Sequence, residues 1–410
     1  MIKRVKRFLG EERLISICTS NFYVLDIVFR YFKEKSKPFI VESTSNQVNP
    51  QGGYTGLTPK RFVEKIKEIS KKYGIDKFYI GADHAGTYPW RKEEKEIAME
   101  KAKRLVKESI ESGYFKIHLD TSYPLRGEKD LSLEEIIERE IELCIVAEEV
   151  SKNLSAKPVY VIGTDVPSPG SGENPEVTSK EELVEMVEKS KEAFMKKGLY
   201  DAWERVVGIV VQLGIEFGGN KIFDYDLNKV VPLKEGMANY PYLILEAHST
   251  DYQTVFSLKK MREDGVGIFK VGPALTFAYR EALISLSYIE DYLFNRNKSN
   301  LRKVILRVLE EDKSFWKDYY EENTPVYSIL FSFLDRVRYY YQRDEIKNSL
   351  EIMFKNFEGK EIPLPLISQY FPDQYPKIRE KILSPKIEDL IYGKICDVLD
   401  NYYKALYEEE

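Results

Sequence analysis

The 410 residues predict an α/β protein, a (β/α)8 TIM barrel with an appended C-terminal helical segment. Three observations carry that expectation. Short β-branched or aromatic runs alternate with long, amphipathic, charge-rich segments. Eight such units can be counted, and eight close a barrel better than they make an open sheet. Beyond about Asn297 the alternation stops and the chain turns helical, strand-poor and rich in tyrosine.

The expected strands, in order, are Arg13 to Cys18, Pro38 to Glu42, Lys77 to Gly81, Phe115 to Leu119, Val159 to Gly163, Val206 to Gln212, Tyr242 to Glu246 and Gly267 to Val271. Between them lie helical segments such as Pro59 to Lys72, Glu93 to Ser112, Ser132 to Lys152, Ser179 to Lys197 and Thr276 to Asn295. Thr58 before Pro59 supplies an N-cap and a proline at the first helical position, and Ser179 with Glu182 has capping-box spacing. The barrel is expected over residues 1–296. Residues 297–410 form the extension, read as a lid or an interface. The loop Asp165 to Thr178, rich in proline and glycine, is long for a βα connection, and long loops on the active rim often act as lids.

Composition narrows the function. With 62 Lys and Arg against 67 Asp and Glu, the net charge is −5 and the signs are interleaved, so neither nucleic acid nor an anionic membrane surface is expected as partner. The three cysteines, Cys18, Cys144 and Cys396, are far apart, which points to a reducing compartment and a cytoplasmic protein. No run approaches the ~18 apolar residues of a membrane span. A charged fraction of 31% suits a thermophilic source.

In such barrels the residues at or just past the strand C-termini carry the chemistry. All three histidines, His84, His118 and His248, lie there. His84 and His248 are candidate ligands of a shared divalent metal, with imidazole nitrogen suiting Zn, Mn or Co, and an acid, Glu216 or Asp165, would complete the set. Asp83 beside His84 is placed to shuttle a proton; it would otherwise be an N-cap. His118 and Asp120 suit support of the metal site or acid/base work, or form a buried hydrogen-bonded pair. Glu42, Ser45, Asn46, Gln212, Glu246 and Lys270 complete the rim. Gly272 to Thr276 and Ser249-Thr250 precede helices whose free N–H groups would hold an anion. Gly52 to Gly56 is a weak glycine loop, and no Walker sequence is present. Arg280, Arg336 and Arg338 are charge partners for a phosphate or, individually, surface ion-pair formers.

Several ungapped blocks add a resemblance: Glu42 to Asn49 with Gly52 to Gly56, Lys116 to Asp120, Tyr160 to Pro167, Glu246 to Thr254, Lys270 to Phe277 and Ile367 to Tyr370. They resemble the Z-type subunit family of D-tagatose-bisphosphate aldolase, over nearly the whole chain. The resemblance implies a barrel related to the class II, metal-dependent aldolases and a ketohexose phosphate substrate. Some members are subunits that support a catalytic aldolase chain, and related proteins are ketose-phosphate 4-epimerases. Asp83-His84 resembles the Asp-His pair that supplies an acid and a metal ligand after the third strand, and His248 matches a ligand after the seventh. Strand six departs from the pattern, offering Gln212 and Glu216 where catalytic aldolases carry histidine.

The expectation is metal-dependent retro-aldol/aldol chemistry at C3–C4, giving tagatose 6-phosphate/fructose 6-phosphate 4-epimerisation. Asp83, Asp120, Asp165 and Lys270 would be catalytic, and His84, Glu216 and His248 would hold the metal, zinc first among the ions named. Glu42, Asn46, His118, Gln212, Ser249, Thr250, Gly272 and Arg338 would bind substrate. The competing expectation is a non-catalytic subunit that stabilises a class II aldolase partner; a homo-oligomer or such a complex is expected.

Overall fold

In the computed structural model, which describes residues 3–163 and 175–408, eight parallel strands close into a barrel. They are β1 (Leu14–Cys18), β2 (Phe39–Thr44), β3 (Phe78–Ala85), β4 (Lys116–Leu119), β5 (Val159–Gly163), β6 (Val206–Val210), β7 (Ile244–Ala247) and β8 (Val266–Val271), and β8 pairs back onto β1. Each strand is short and β-branched because it is buried on both faces, by the barrel interior and by the helical ring. The helices start where the sequence signals them. Thr58 accepts a hydrogen bond from the Arg61 N–H, and Ser132 and Ser179 form capping boxes with Glu135 and Glu182.

Two differences from the expected strand bounds bear on the site. Strand β6 ends at Val210 rather than Gln212, and a small antiparallel hairpin, Glu216–Phe217 with Ile222–Phe223, follows it. Strand β3 runs to Ala85 instead of ending at Gly81, and its pairing with β4 shifts register between Ala82 and Ala85. That shift is a bulge, and bulges re-aim side chains next to active sites.

The floor of the barrel is apolar. Leu14, Ile40, Val159, Val161, Ile244 and Ile268 form a cluster closed by Val5 and Leu9 of the N-terminal helix Arg4–Leu9. Arg4 ties that helix down through the carbonyls of Trp203 and Val206 and the Glu204 carboxylate. Among the described residues, packed side chains close this end of the barrel.

The extension wraps the barrel and shares its hydrophobic core. Helix Ile387–Tyr407 packs on the helices that follow β8, β7 and β1. Its Tyr402 hydroxyl donates to the carbonyl of Thr250, just past β7. Arg280, expected at the surface, is instead buried, with its Nε 2.7 Å from Asp335 of the extension. Among the described residues, no helix is long and apolar enough to cross a membrane.

Candidate active site

Because side chains alternate along a strand, every second residue faces the barrel interior. On β4 these are Lys116 and His118, with Asp120 just beyond. On β7 they are Ile244 and Glu246, then His248, and on β8 Ile268 and Lys270. Above the apolar floor this places a layer of charge. Lys116 Nζ lies 2.5 Å from Glu42 Oε1 and 2.8 Å from Glu246 Oε1, all three residues fully buried. Burial opposes the ammonium, but the two carboxylates outweigh it and push the Lys116 pKa up. Lys270 lies against the Asp83 carboxylate and 3.1 Å from His248 Nε2. Burial disfavours its charge as well, and Asp83 and Glu42 again overturn the effect.

The bulge in β3 brings Asp83 and His84 into one site. Consecutive strand residues would face opposite ways, but His84 adopts a left-handed φ of 45°. Gly86 closes this turn against β4, and a Cβ there would meet the Asp120 carbonyl oxygen at 1.7 Å. His84 Nδ1 is 2.6 Å from Asp120 Oδ2, and Asp120 Oδ1 accepts from the N–H and hydroxyl of Ser122 at 3.0 and 2.5 Å. A carboxylate this well supplied accepts from Nδ1–H, which leaves His84 Nε2 as the lone-pair nitrogen. His118 Nε2 is 2.9 Å from the Gly163 carbonyl. A carbonyl only accepts, so Nε2 carries the hydrogen and Nδ1, 3.2 Å from Asp83 Oδ1, faces the site.

The three imidazole rings sit 4.9, 5.1 and 5.3 Å apart, centroid to centroid. One donor atom from each of Asp83, His84, His118 and His248 lies within 4.8 Å of the others. Burial would raise the Asp83 pKa, but His84 and Lys270 hold it well below the usual carboxylate range. Burial likewise works against the Asp120 carboxylate and is outweighed by the hydrogen bond to His84, so its pKa is lowered. His118 goes the other way: burial lowers its pKa and keeps the ring neutral. Imidazoles and an ionised carboxylate are a donor set for a first-row divalent ion.

This group opens into a cavity of about 410 Å³. Its wall includes Asn46, Asp83, His84, His248, Ser249, Lys270, Gly272 and Arg338 among the expected site residues. Tyr54, Tyr319, Arg336, Tyr339 and Tyr341 join them, so the extension supplies part of the wall. His118 and Asp120 stand behind this surface, fully or nearly buried; Asp120 holds the His84 ring, and His118 Nδ1 accepts from the His84 backbone N–H at 3.3 Å.

Other expected positions are placed differently. Glu216 is outside the four-residue donor group among the described residues; its Oε1 accepts from the Phe217 N–H at 2.8 Å and its Oε2 from the Ser249 hydroxyl at 3.4 Å. It stands on the hairpin, past the end of β6, while His118 occupies the group. Glu42 lies below the cavity, bound to Lys116. The Thr250 hydroxyl contacts the Lys270 carbonyl at 2.5 Å and the Tyr402 hydroxyl at 2.9 Å, a structural position. Gln212 pairs through its backbone with Thr178. The N–H groups of Gly272 and Ala274, expected to hold an anion, are taken by Asp251 Oδ1 at 3.0 and 2.7 Å. Asp165 lies outside the described residues.

Lys116 and Asp251 were not singled out by sequence reasoning. Lys116 had a usable signal, since it stands two residues before His118 and so faces inward with it. Asp251 had none, because its partners come from the next βα unit.

Replacing Asp120 with Asn should weaken divalent-metal binding about 10- to 100-fold, since the amide no longer fixes the His84 ring by charge. Titration of the purified variant with Zn or Co measures this.

A family model described as D-tagatose-1,6-bisphosphate aldolase subunit GatZ/KbaZ-like matches residues 2–407. The chain is 39% identical over 400 residues to the D-tagatose-1,6-bisphosphate aldolase subunit GatZ of Escherichia coli K12, covering 95% of each. The subunit of the same name from Shigella boydii serotype 18 is 38% identical over the same share. Among solved structures, a probable tagatose 6 phosphate kinase from Sinorhizobium meliloti 1021 superposes with a TM-score of 0.89 at 34% identity, covering 96% of this chain and all of that one. Fructuronate-tagaturonate epimerase UxaE from Cohnella laeviribosi shares the fold, with a TM-score of 0.53 at 11% identity, over 98% of this chain and 84% of that one.

Proposed function

The chain belongs to the GatZ/KbaZ-like family of D-tagatose-1,6-bisphosphate aldolase subunits, and from that premise we propose that it is itself an enzyme, a metal-dependent 4-epimerase of ketohexose 6-phosphates. The observation that carries the reading is the group formed by Asp83, His84, His118 and His248, of which Asp83, His84 and His248 line the cavity. It has a metal donor set and, in Asp83, an ionised carboxylate beside it.

The three imidazoles are the side chains that would hold the ion, with Asp120 fixing the His84 ring. A divalent ion there supplies positive charge that polarises the ketose carbonyl and stabilises an enediolate. Asp83 accepts the proton of the C4 hydroxyl. The C3–C4 bond breaks with its electron pair left on the C3 side, and C4 becomes an aldehyde carbon. Lys270, hydrogen-bonded to Asp83, keeps that carboxylate ionised until it is needed. If the aldehyde turns before the bond re-forms, addition occurs on its other face and Asp83 returns the proton, which yields the C4 epimer. The aromatic wall of the extension keeps water from the fragments.

The test is retention of label. With fructose 6-phosphate carrying deuterium at C4, cleavage and re-addition leave the deuterium on C4 of tagatose 6-phosphate. Loss of the label to water would overturn the reading. Release of dihydroxyacetone and glyceraldehyde 3-phosphate in place of the epimer would point to aldolase chemistry at the same site.

A second reading, support of a separate aldolase chain, draws on the subunit names of the relatives. It predicts no turnover by the chain alone.

A further inference from the structure

The cavity holds a pair of cations that the chemistry at C3–C4 does not use. Arg336 and Arg338 lie on the extension, one residue apart, and both line the cavity. Arg336 donates from Nε to the Phe315 carbonyl at 2.6 Å and from Nη1 to the Tyr339 hydroxyl at 3.3 Å. Its guanidinium stacks 3.7 Å from the Tyr319 ring centroid and 4.4 Å from that of Tyr339. Arg338 donates from Nη1 to the carbonyls of Leu334 and Asp335, the second at 3.0 Å, and from Nη2 to the Tyr339 hydroxyl at 3.1 Å.

Neither guanidinium has a carboxylate within 4.0 Å among the described residues. Of the nearby carboxylates, Asp335 is already committed to Arg280 at 2.7 Å and Asp251 to the N–H groups of Gly272 and Ala274. Two adjacent, largely buried cations held by carbonyls and one shared phenol are costly unless an anion completes them. Each has five N–H donors, more than its contacts here use. Guanidinium groups with donors to spare suit phosphate, whose oxygens accept from their N–H groups.

The other anion seat in the cavity is closed. Asp251 also lines the wall, and its carboxylate fills the N–H groups of Gly272 and Ala274 at the start of helix Pro273–Leu293. A second dianion arriving there meets a carboxylate.

We propose that Arg336 and Arg338 seat the one phosphate group of the substrate, and that Asp251 keeps the site to ketoses carrying a single phosphate. The proposal rests on the ketohexose-phosphate reading above, but it concerns binding rather than bond cleavage. The extension would then be part of the substrate site, and the barrel alone would be incomplete.

Calorimetry on the full chain tests it, with fructose 6-phosphate, fructose 1,6-bisphosphate, fructose and inorganic phosphate as probes. Arg336→Gln and Arg338→Gln should each weaken fructose 6-phosphate and inorganic phosphate by about 10- to 100-fold and leave fructose unchanged. The parent should prefer the monophosphate, and Asp251→Asn, whose amide oxygen can still accept both N–H groups, should narrow that preference by about 10-fold. Unchanged fructose 6-phosphate affinity in folded Arg variants would overturn the seat. Equal affinity of the parent for mono- and bisphosphate would overturn the role of Asp251.

Arg338 also holds two backbone carbonyls, so its loss can unfold the segment. In that case phenylglyoxal labelling of the parent decides: phosphate should protect Arg336 and Arg338, and undiminished labelling at both contradicts the seat. Normal seat behaviour without turnover would leave the seat standing and sink the epimerase reading; turnover with an unchanged KM in the Arg variants would do the reverse.

Discussion

Asp83→Asn is expected to lower turnover of fructose 6-phosphate by about 10²- to 10⁴-fold, the usual loss when a positioned acid/base group is removed. The substitution keeps the side-chain volume and removes only the charge and basicity. Asp83 touches Lys270, His118 Nδ1 at 3.2 Å and the Cys18 thiol at 3.5 Å. Lys270 loses its nearest anion but keeps His248 at 3.1 Å and Glu42 at 4.0 Å, so the barrel should still fold, with a lowered melting temperature. Metal binding should survive, because the three imidazoles remain. A folded, metal-loaded Asp83→Asn protein with full turnover would remove Asp83 from the mechanism.

The largest expected effect on stability is at the Arg280–Asp335 pair. The two residues are 1% and 0% exposed, with Nε to Oδ1 at 2.7 Å, and the Thr276 hydroxyl donates to Asp335 Oδ2 at 2.5 Å. Taking away Arg280 leaves a buried carboxylate without its counter-ion, a loss of about 3–5 kcal/mol by analogy with other broken buried pairs. Asp335 also adopts a left-handed φ of 45°, so the turn that presents Arg336 and Arg338 depends on it. Arg280→Met should therefore cost several degrees of melting temperature and raise KM for a phosphorylated ketose. Arg280→Met with Asp335→Asn should recover part of the stability, since no charge is then left unpaired. A double variant as unstable as the sum of the singles would show that the pair does not couple.

The barrel was legible because its evidence is local. Each strand is a β-branched run bounded by turn residues, and Thr58, Ser132 and Ser179 announce their helices. The inward positions of the histidines followed from strand ends alone. Less legible was anything that depends on partners far along the chain. Lys116 meets Glu42 and Glu246 across 74 and 130 residues, and no spacing rule pairs them. The bulge at Asp83-His84 is a matter of register between β3 and β4, so a loop was expected where the strand continues. Glu216 looked like a ligand by its order in the chain, yet the hairpin after β6 sets it beyond the donor group. Arg280 looked like a surface residue because its buried partner, Asp335, belongs to the extension. The helix that plugs the barrel floor was hidden by its own charges: Arg4 is spent on carbonyls and a carboxylate, while Val5 and Leu9 do the packing.

The central claim is that this chain alone binds a divalent metal and carries out its own chemistry. The most direct test is metal content of the purified chain, followed in the same sample by fructose 6-phosphate, with product sugars resolved before and after chelation. The account predicts a bound divalent ion and tagatose 6-phosphate that disappears with chelator and returns with added metal. A chain without metal that makes no tagatose 6-phosphate even when metal is supplied, or one whose turnover ignores the chelator, would contradict it.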